Sequence, residues 1–377
     1  MSARIAFGFA CAAVLAALAL GAPPTPSAEA ATSPCSGGRF TPGTGRLEWK
    51  RSARRILAVR GLPGRPIART GSTVILSGVT AIGGRRRHGF AAIDLRTGRP
   101  TPFDPSVPTG QSLTAMTASP TAMYLAYESF DEAPVGPKQI SVYSLSTGAL
   151  VPGFDPPDFR DGTLGGMVYV DGRVVMGGAP PVGAGITLGA YDATTGAPVW
   201  RAPIDWPVLS LATDGSRVFA EVPPEVGDLH VVAAFDATDG SPVAGWGSTL
   251  PARDYRTELA GADAARVYSV AGRRVQDVRP FVVSTGDGRR VSLPRLPSNA
   301  TGLRPGAGGT ILGQLRVPTH NGPRIQIDAV FETTGKLIGT VPSPCSVLAQ
   351  RDARHLLVSH NVGQSRSQIF ELVRPRR

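Results

Sequence analysis

The chain has 377 residues, more than one conventional hydrophobic core accommodates, and no obvious linker divides it. Only 18% of the residues are charged, while Gly contributes 46 and Pro 35, a composition that suits short strands and tight turns and excludes a predominantly helical body. The formal net charge is +11, and because Lys50, Lys138 and Lys336 are the only lysines, arginine carries the excess; a basic exterior favours anionic partners.

Taken in chain order, the first element is a targeting segment. Arg4 precedes an apolar run from Ile5 to Leu20, a Pro-rich stretch follows, and Ala28-Glu29-Ala30 is a small-x-small site, so residues 1–30 are predicted to be a secretory signal peptide cleaved after Ala30. The alternative is an uncleaved anchor, since the run approaches the length that spans a bilayer. Thr32-Ser33-Pro34 ahead of Cys35 does not make a lipobox, and no second apolar span follows. The mature protein is therefore expected to be soluble and extracytoplasmic: secreted, periplasmic or in the cell envelope. In that compartment the anionic partner is an envelope polymer or a lipid headgroup rather than nucleic acid. Cys11 leaves with the signal, and the remaining Cys35 and Cys345 predict one disulfide; two unrelated thiols are the alternative.

Residues 31–64 read as a closure segment. It contains Thr44-Gly45-Arg46-Leu47-Glu48-Trp49 and then a basic stretch of Lys50, Arg51, Arg54, Arg55 and Arg60. From residue 65 to the C-terminus a β-rich phrase recurs at intervals of roughly 43 to 50 residues. The copies begin at Ser72, Ala122, Asp171, Asp214, Ala264, Gly309 and Asp352, as in Asp171-Gly-Arg-Val-Val-Met176 and Asp214-Gly-Ser-Arg-Val-Phe-Ala220. A second phrase follows the first six copies: Ala92-Ile-Asp94-Leu-Arg-Thr97-Gly98, Ala190-Tyr-Asp192-Ala-Thr-Thr195-Gly196, Ala234-Phe-Asp236-Ala-Thr-Asp239-Gly240 and weaker forms ending at Gly148, Gly288 and Gly335. Asp and Thr side chains accept from nearby backbone N–H groups as a strand ends, and Gly supplies the positive φ. An aromatic after the Gly (Phe103, Phe154, Trp200, Trp246) is expected to pack between adjacent units. One unit reads as strands over Val208–Thr213, Arg217–Val222, Leu229–Asp236 and Pro242–Trp246, joined by turns at Asp214-Gly215 and Thr238-Asp239-Gly240.

Four short antiparallel strands repeated at this period predict an all-β, seven-bladed β-propeller. The A-x-D-x-x-T-G-x-x-x-W pattern resembles the quinoprotein-type (PQQ-like) propeller repeat, and is similar too to the YVTN and delta-60 repeats of exported bacterial proteins, over roughly residues 65 to 373. The last unit runs out of chain after three strands, near Ser346–Ala349, Arg354–Ser359 and Gln368–Val373. Because Thr44 to Trp49 copies Thr195 to Trp200, residues near 46–49 are expected to complete the last blade, with 54–59 the rival for that place. A Cys35–Cys345 bridge would then fasten the N-terminal segment to that blade.

The search for chemistry returns little. His88, His230, His320, His355 and His360 show no metal-ligand spacing, and Asp155, Asp158 and Asp161 lack the alternation of a calcium loop. No nucleophile elbow or phosphate-binding loop exists. Quinoprotein enzymes would imply PQQ, calcium and adjacent cysteines; this chain has no adjacent cysteines, so no cofactor, metal or catalytic residue is assigned. The remaining signal is basic: Arg85, Arg86 and Arg87 in what reads as a loop of the first blade, and Lys50, Arg51, Arg54 and Arg55, are the candidate anion-binding residues. The alternative for them is a solvated basic surface. The reading is a monomeric, non-catalytic binding or scaffold module for a protein or an anionic envelope polymer. A propeller enzyme (a quinoprotein-like oxidoreductase or a lyase) with its site at the channel mouth, and a basic envelope adhesin, are the other two readings.

Overall fold

A computed structural model of the chain describes residues 50–51, 57–61, 66–107, 111–129, 140–157, 163–179, 187–202, 204, 206–222, 229–251, 257–271, 279–319, 322–341, 345–352, 354–363 and 366–373. The chain divides into the units Met1–Thr32 and Ser33–Arg377, and every described residue belongs to the second. The expected signal peptide, Cys35, residues 46–49 and both Arg54 and Arg55 lie outside the described residues.

Two strands precede the repeats, β1 (Lys50–Arg51) and β2 (Leu57–Gly61). The first repeat holds β3 (Pro66–Thr70), β4 (Thr73–Ile82), β5 (Arg85–Asp94) and β6 (Arg99–Pro100), and the second β7 (Gln111–Ala118), β8 (Ala122–Ser129) and β9 (Ile140–Ser144). The third holds β10 (Thr163–Val170), β11 (Arg173–Ala179), β12 (Leu188–Asp192) and β13 (Pro198–Arg201), and the fourth β14 (Ser210–Thr213), β15 (Arg217–Val222), β16 (Leu229–Asp236) and β17 (Ser248–Pro251). Next come β18 (Thr257–Ala262), β19 (Arg266–Ala271) and β20 (Arg279–Ser284), then β21 (Ala300–Pro305), β22 (Ile311–Thr319), β23 (Gly322–Phe331) and β24 (Leu337–Val341). The last repeat is β25 (Cys345–Asp352), β26 (His355–Gly363) and β27 (Arg366–Val373). Within each repeat the strands pair antiparallel in chain order, and among the described residues there is no α-helix.

Local chemistry accounts for the turns. Asp171 (φ 43) and Gly172 (φ 75) both adopt left-handed backbone, the mirror-image turn whose twist matches the strands it joins, with Val170 opposite Arg173. At the second phrase, Asp192 Oδ1 accepts from the N–H groups of Thr194 (3.0 Å) and Thr195 (2.8 Å) and from the Thr195 hydroxyl (2.9 Å). These bonds hold the Asp192 carboxyl below the usual carboxylate range, the Thr195 backbone N–H contributing most.

The core is built between neighbouring repeats, because each sheet is apolar on both faces. Val142 and Tyr124 of the second repeat share a cluster with Met167 and Met176 of the third. Trp200 and Val175 of the third share one with Phe235 and Val218 of the fourth. The aromatics that follow the turn glycines fill these seams: Phe103 and Phe154 are buried, and the Trp200 and Trp246 indole N–H groups donate to the carbonyls of Ala237 (3.0 Å) and Thr285 (2.9 Å) in the next repeat.

Two expectations need correction. The fourth strand of the fourth repeat is Ser248–Pro251, whereas Pro242 makes only an isolated bridge to Phe235. Proline lacks the donor that a ladder requires, the chain turns at Gly245 (φ 72), and pairing resumes beyond Trp246. Arg85 to His88 belong to β5 rather than to a loop; the turn is confined to Gly83 and Gly84, and Arg85 already faces Ile82 in register.

β27 carries chain from the other end of the protein. It pairs with β2 (Leu57 opposite Ile369, Arg60 opposite Arg366) and with β1 (Lys50 opposite Val373). β2 also pairs with the outer end of β4, with Val59 opposite Ile82. The first and last repeats are thereby joined into one nine-stranded sheet.

Candidate anion-binding cleft

The side chains of a strand alternate between its two faces, and this divides the arginine run. Arg85 and Arg87 line one cavity of about 840 Å³ together with Arg96, Arg99, Arg351 and Glu371. Arg86 lines a different cavity, of about 600 Å³, with Arg60 and Gln368. The run that reads as one patch in the sequence is two half-patches on opposite sides of a sheet.

The larger cavity lies where the first repeat meets the last. Its walls are Ala58 of β2, the turn after β4, the start of β5, the β5–β6 turn with β6 and the residues just after it (Leu95 to Pro102), and residues of β25, β26 and β27. Leu95, Leu357 and Ile369, which belong to the apolar cluster shared by the first and last repeats, form its greasy part. Among the described lining residues, five guanidinium groups and a single carboxylate, Glu371, stand around them.

The partners of these arginines differ. Arg351 Nη1 lies 3.0 Å from Glu371 Oε1, across the intervening β26, with the two side chains 23% and 13% exposed. Arg87 donates to the carbonyls of Thr101 (3.0 Å) and Arg86 (3.1 Å), and its Nε is buried without an acceptor among the described residues. Arg96 stands 3.5 Å from Asp94. Desolvation would raise the Asp94 carboxyl, but the bonds and charge of Arg96 outweigh it, so the group sits below the usual range. Arg85 and Arg99 are exposed. Guanidinium groups stay charged at any physiological pH and grip carboxylates and phosphates through paired N–H groups. A cleft with this excess of cations over an aliphatic floor is suited to an anionic ligand with an apolar or ring-shaped body.

Sequence reasoning located Arg85 and Arg87 but missed Arg96, Arg99 and Arg351. The last comes from the opposite end of the chain, and no local pattern pairs it with β5. Lys50 and Arg51 form β1 beside β27. His355 is held by Asp352, 2.7 Å from Nδ1, and His88 contacts Asp104 at 3.2 Å. His360, opposite Cys345 in register, is buried, and desolvation lowers its pKa. Among the described residues no group of His, Cys, Asp and Glu could hold a metal ion, and no helix is long and apolar enough to cross a membrane; Asp158, Asp161 and His320 lie outside that set.

The structure is similar to the β-propeller domain of the trilobed protease from Pyrococcus furiosus, which has an open velcro topology, with a TM-score of 0.52 and 10% identity over 82% of this chain and 95% of that one. The fold is a β-propeller. The Dos1 propeller (TM-score 0.48, 12% identity, 84% of this chain and 93% of that one) and hydrazine synthase of Kuenenia stuttgartiensis (TM-score 0.48, 12% identity, 88% and 99%) are further neighbours. At such identities the likeness concerns the propeller alone, a fold that serves both enzymes and binding modules. No protein-family profile and no curated protein matches the sequence.

Proposed function

We propose that this protein is an exported, seven-bladed propeller that acts as a non-catalytic binding module for an anionic cell-envelope polymer. The observation that carries the reading is the cleft in which Arg85, Arg87, Arg96, Arg99 and Arg351 meet against one carboxylate. The PQQ-like repeat pattern, the signal-peptide pattern of residues 1–30 and the basic composition support export and an anionic partner.

Support for the ring comes from the seams. Apolar clusters join each repeat to the next, and a further one joins Val74 and Ile93 of the first repeat to Leu348 and Leu357 of the last. Arg69 of β3 also donates to the Gln350 carbonyl of β25 at 2.6 Å. In this reading β1 and β2, with the segment before them, complete the last blade, and a Cys35–Cys345 disulfide fastens that segment near the start of β25, where Cys345 is buried.

The test is retention of the mature protein on phosphocellulose as salt rises. Replacing Arg85 and Arg99 by Ser should lower the eluting salt concentration more than replacing the exposed Arg289 and Arg295 does, since clustered charges share one counter-ion field. Equal shifts from the two pairs would refute the cleft as the binding site.

A further inference from the structure

A third cavity, of about 470 Å³, is lined by residues of the first strand of every repeat, from Ala68 on β3 to Gln350 on β25. Most of its lining residues are small or aliphatic, but the polar groups among them present about as much surface as the apolar ones, a mixed wall that can hold and orient an organic ligand. The cations in it are Arg69 and Arg304, and no carboxylate is among the described lining residues.

Both arginines are anchored to the same strand. Arg69 Nη1 donates to the Gln350 carbonyl at 2.6 Å, and Arg304 Nη2 to the Val347 carbonyl at 3.4 Å. Arg69 reaches β25 from the first repeat and Arg304 from the sixth, so the two guanidinium groups flank one strand in the lining of the same cavity. Arg69 is solvent-accessible, and its other hydrogen bond also goes to a carbonyl, that of Gly71. Partial removal from bulk water nevertheless lowers its pKa.

Gln350 supplies an independent observation. Its Oε1 accepts from the Thr310 hydroxyl (2.7 Å) and the Ala307 N–H (3.2 Å), which fixes the orientation of the amide. Nε2 is then left buried with no acceptor among the described residues. Thus a fixed amide and two cations stand at β25 in the lining of one cavity.

We infer that this cavity binds a small organic carboxylate with an aliphatic body, the carboxylate held by Arg69 and Arg304 at β25 and the body lying against the aliphatic walls. The site is separate from the cleft between the first and last repeats and does not depend on that cleft's role.

The experiment is calorimetric titration of the full mature protein with hexanoate, and with hexanol as the uncharged probe of the same body. Hexanoate should bind and hexanol should bind at least about tenfold more weakly, the loss expected for charge-assisted hydrogen bonds. Arg69→Gln and Arg304→Gln should each weaken hexanoate by about tenfold. Thr117→Phe, which places a ring in the cavity while leaving both arginines in place, should also weaken binding and guards against an Arg69 variant that fails to fold. Arg289→Ser with Arg295→Ser, exposed arginines in neither cavity, should leave hexanoate binding unchanged. Equal binding of hexanoate and hexanol, or full hexanoate affinity in folded Arg69→Gln and Thr117→Phe variants, would overturn the proposal.

Discussion

The indole of Trp200 lies over Gly240 of the following repeat: a Cβ added to Gly240 would fall 2.6 Å from Trp200 Cδ2. The indole N–H meanwhile donates to the Ala237 carbonyl, 3.0 Å away in the same turn. One aromatic thus caps its neighbour's turn by packing and by a hydrogen bond. The arrangement recurs in outline along the chain, with Gly196 against Asp155, the residue after Phe154, and Gly148 against Asp104, the residue after Phe103. The Asp-x-x-Thr-Gly phrase therefore serves two ends, turning its own strand and offering a side-chain-free surface to the previous repeat.

Gly240→Ala should consequently be among the most destabilising single-methyl changes in the protein. The backbone there is left-handed (φ 73) and the new methyl meets a ring that is itself buried. Overpacking of this kind costs about 1–3 kcal/mol, measurable by urea denaturation. Gly84→Ala shares a positive φ but meets nothing within 4 Å, so it should cost less.

Acid should weaken the fold through the turn carboxylates. Asp192 has a depressed folded pKa, so at neutral pH its ionised form favours the folded state. As pH falls below the unfolded carboxylate value of about 4, the unfolded chain takes up the proton first, and the contribution disappears as pH passes through the lower folded value. Asp192→Asn should be less stable than wild type at pH 7 and converge towards it at the acid end. Parallel stability curves for the two proteins across that window would count against the assignment.

Glu371→Gln should strengthen anion binding. Glu371 is the single carboxylate among the described residues of the cleft lining and offsets Arg351 at 3.0 Å. Removing its charge should raise the salt concentration needed to elute the protein from phosphocellulose, the opposite direction to Arg85→Ser. Stability should drop modestly, because Arg351 also has Asp352 at 3.4 Å.

Cys345→Ser should lower the melting temperature of the oxidised protein, and reduction of the wild type should reproduce the change. On the chain-entropy account a bridge to Cys35, closing nearly the whole chain, contributes about 3–5 kcal/mol. Identical melting of the variant and the oxidised wild type would show that Cys345 acts only as a buried apolar residue.

Much of the architecture was legible because its determinants are local. Asp192 bonds residues two and three positions away, Asp171 and Gly172 need only their own backbone angles, and Leu229–Asp236 falls where its apolar run places it. The outer strand of the fourth repeat was misplaced because Pro242 and Gly245 interrupt its pairing, while Trp246 was drawn to the neighbouring sheet. By itself, then, the sequence determined the repeating strand-and-turn unit and the aromatic that bridges one unit to the next. Only the tertiary structure decided which arginines share a cleft. Strand alternation parts Arg86 from Arg85 and Arg87, and pairing between the two ends of the chain brings up Arg351; charge adjacency in space follows from strand register, to which nearness in sequence is no guide.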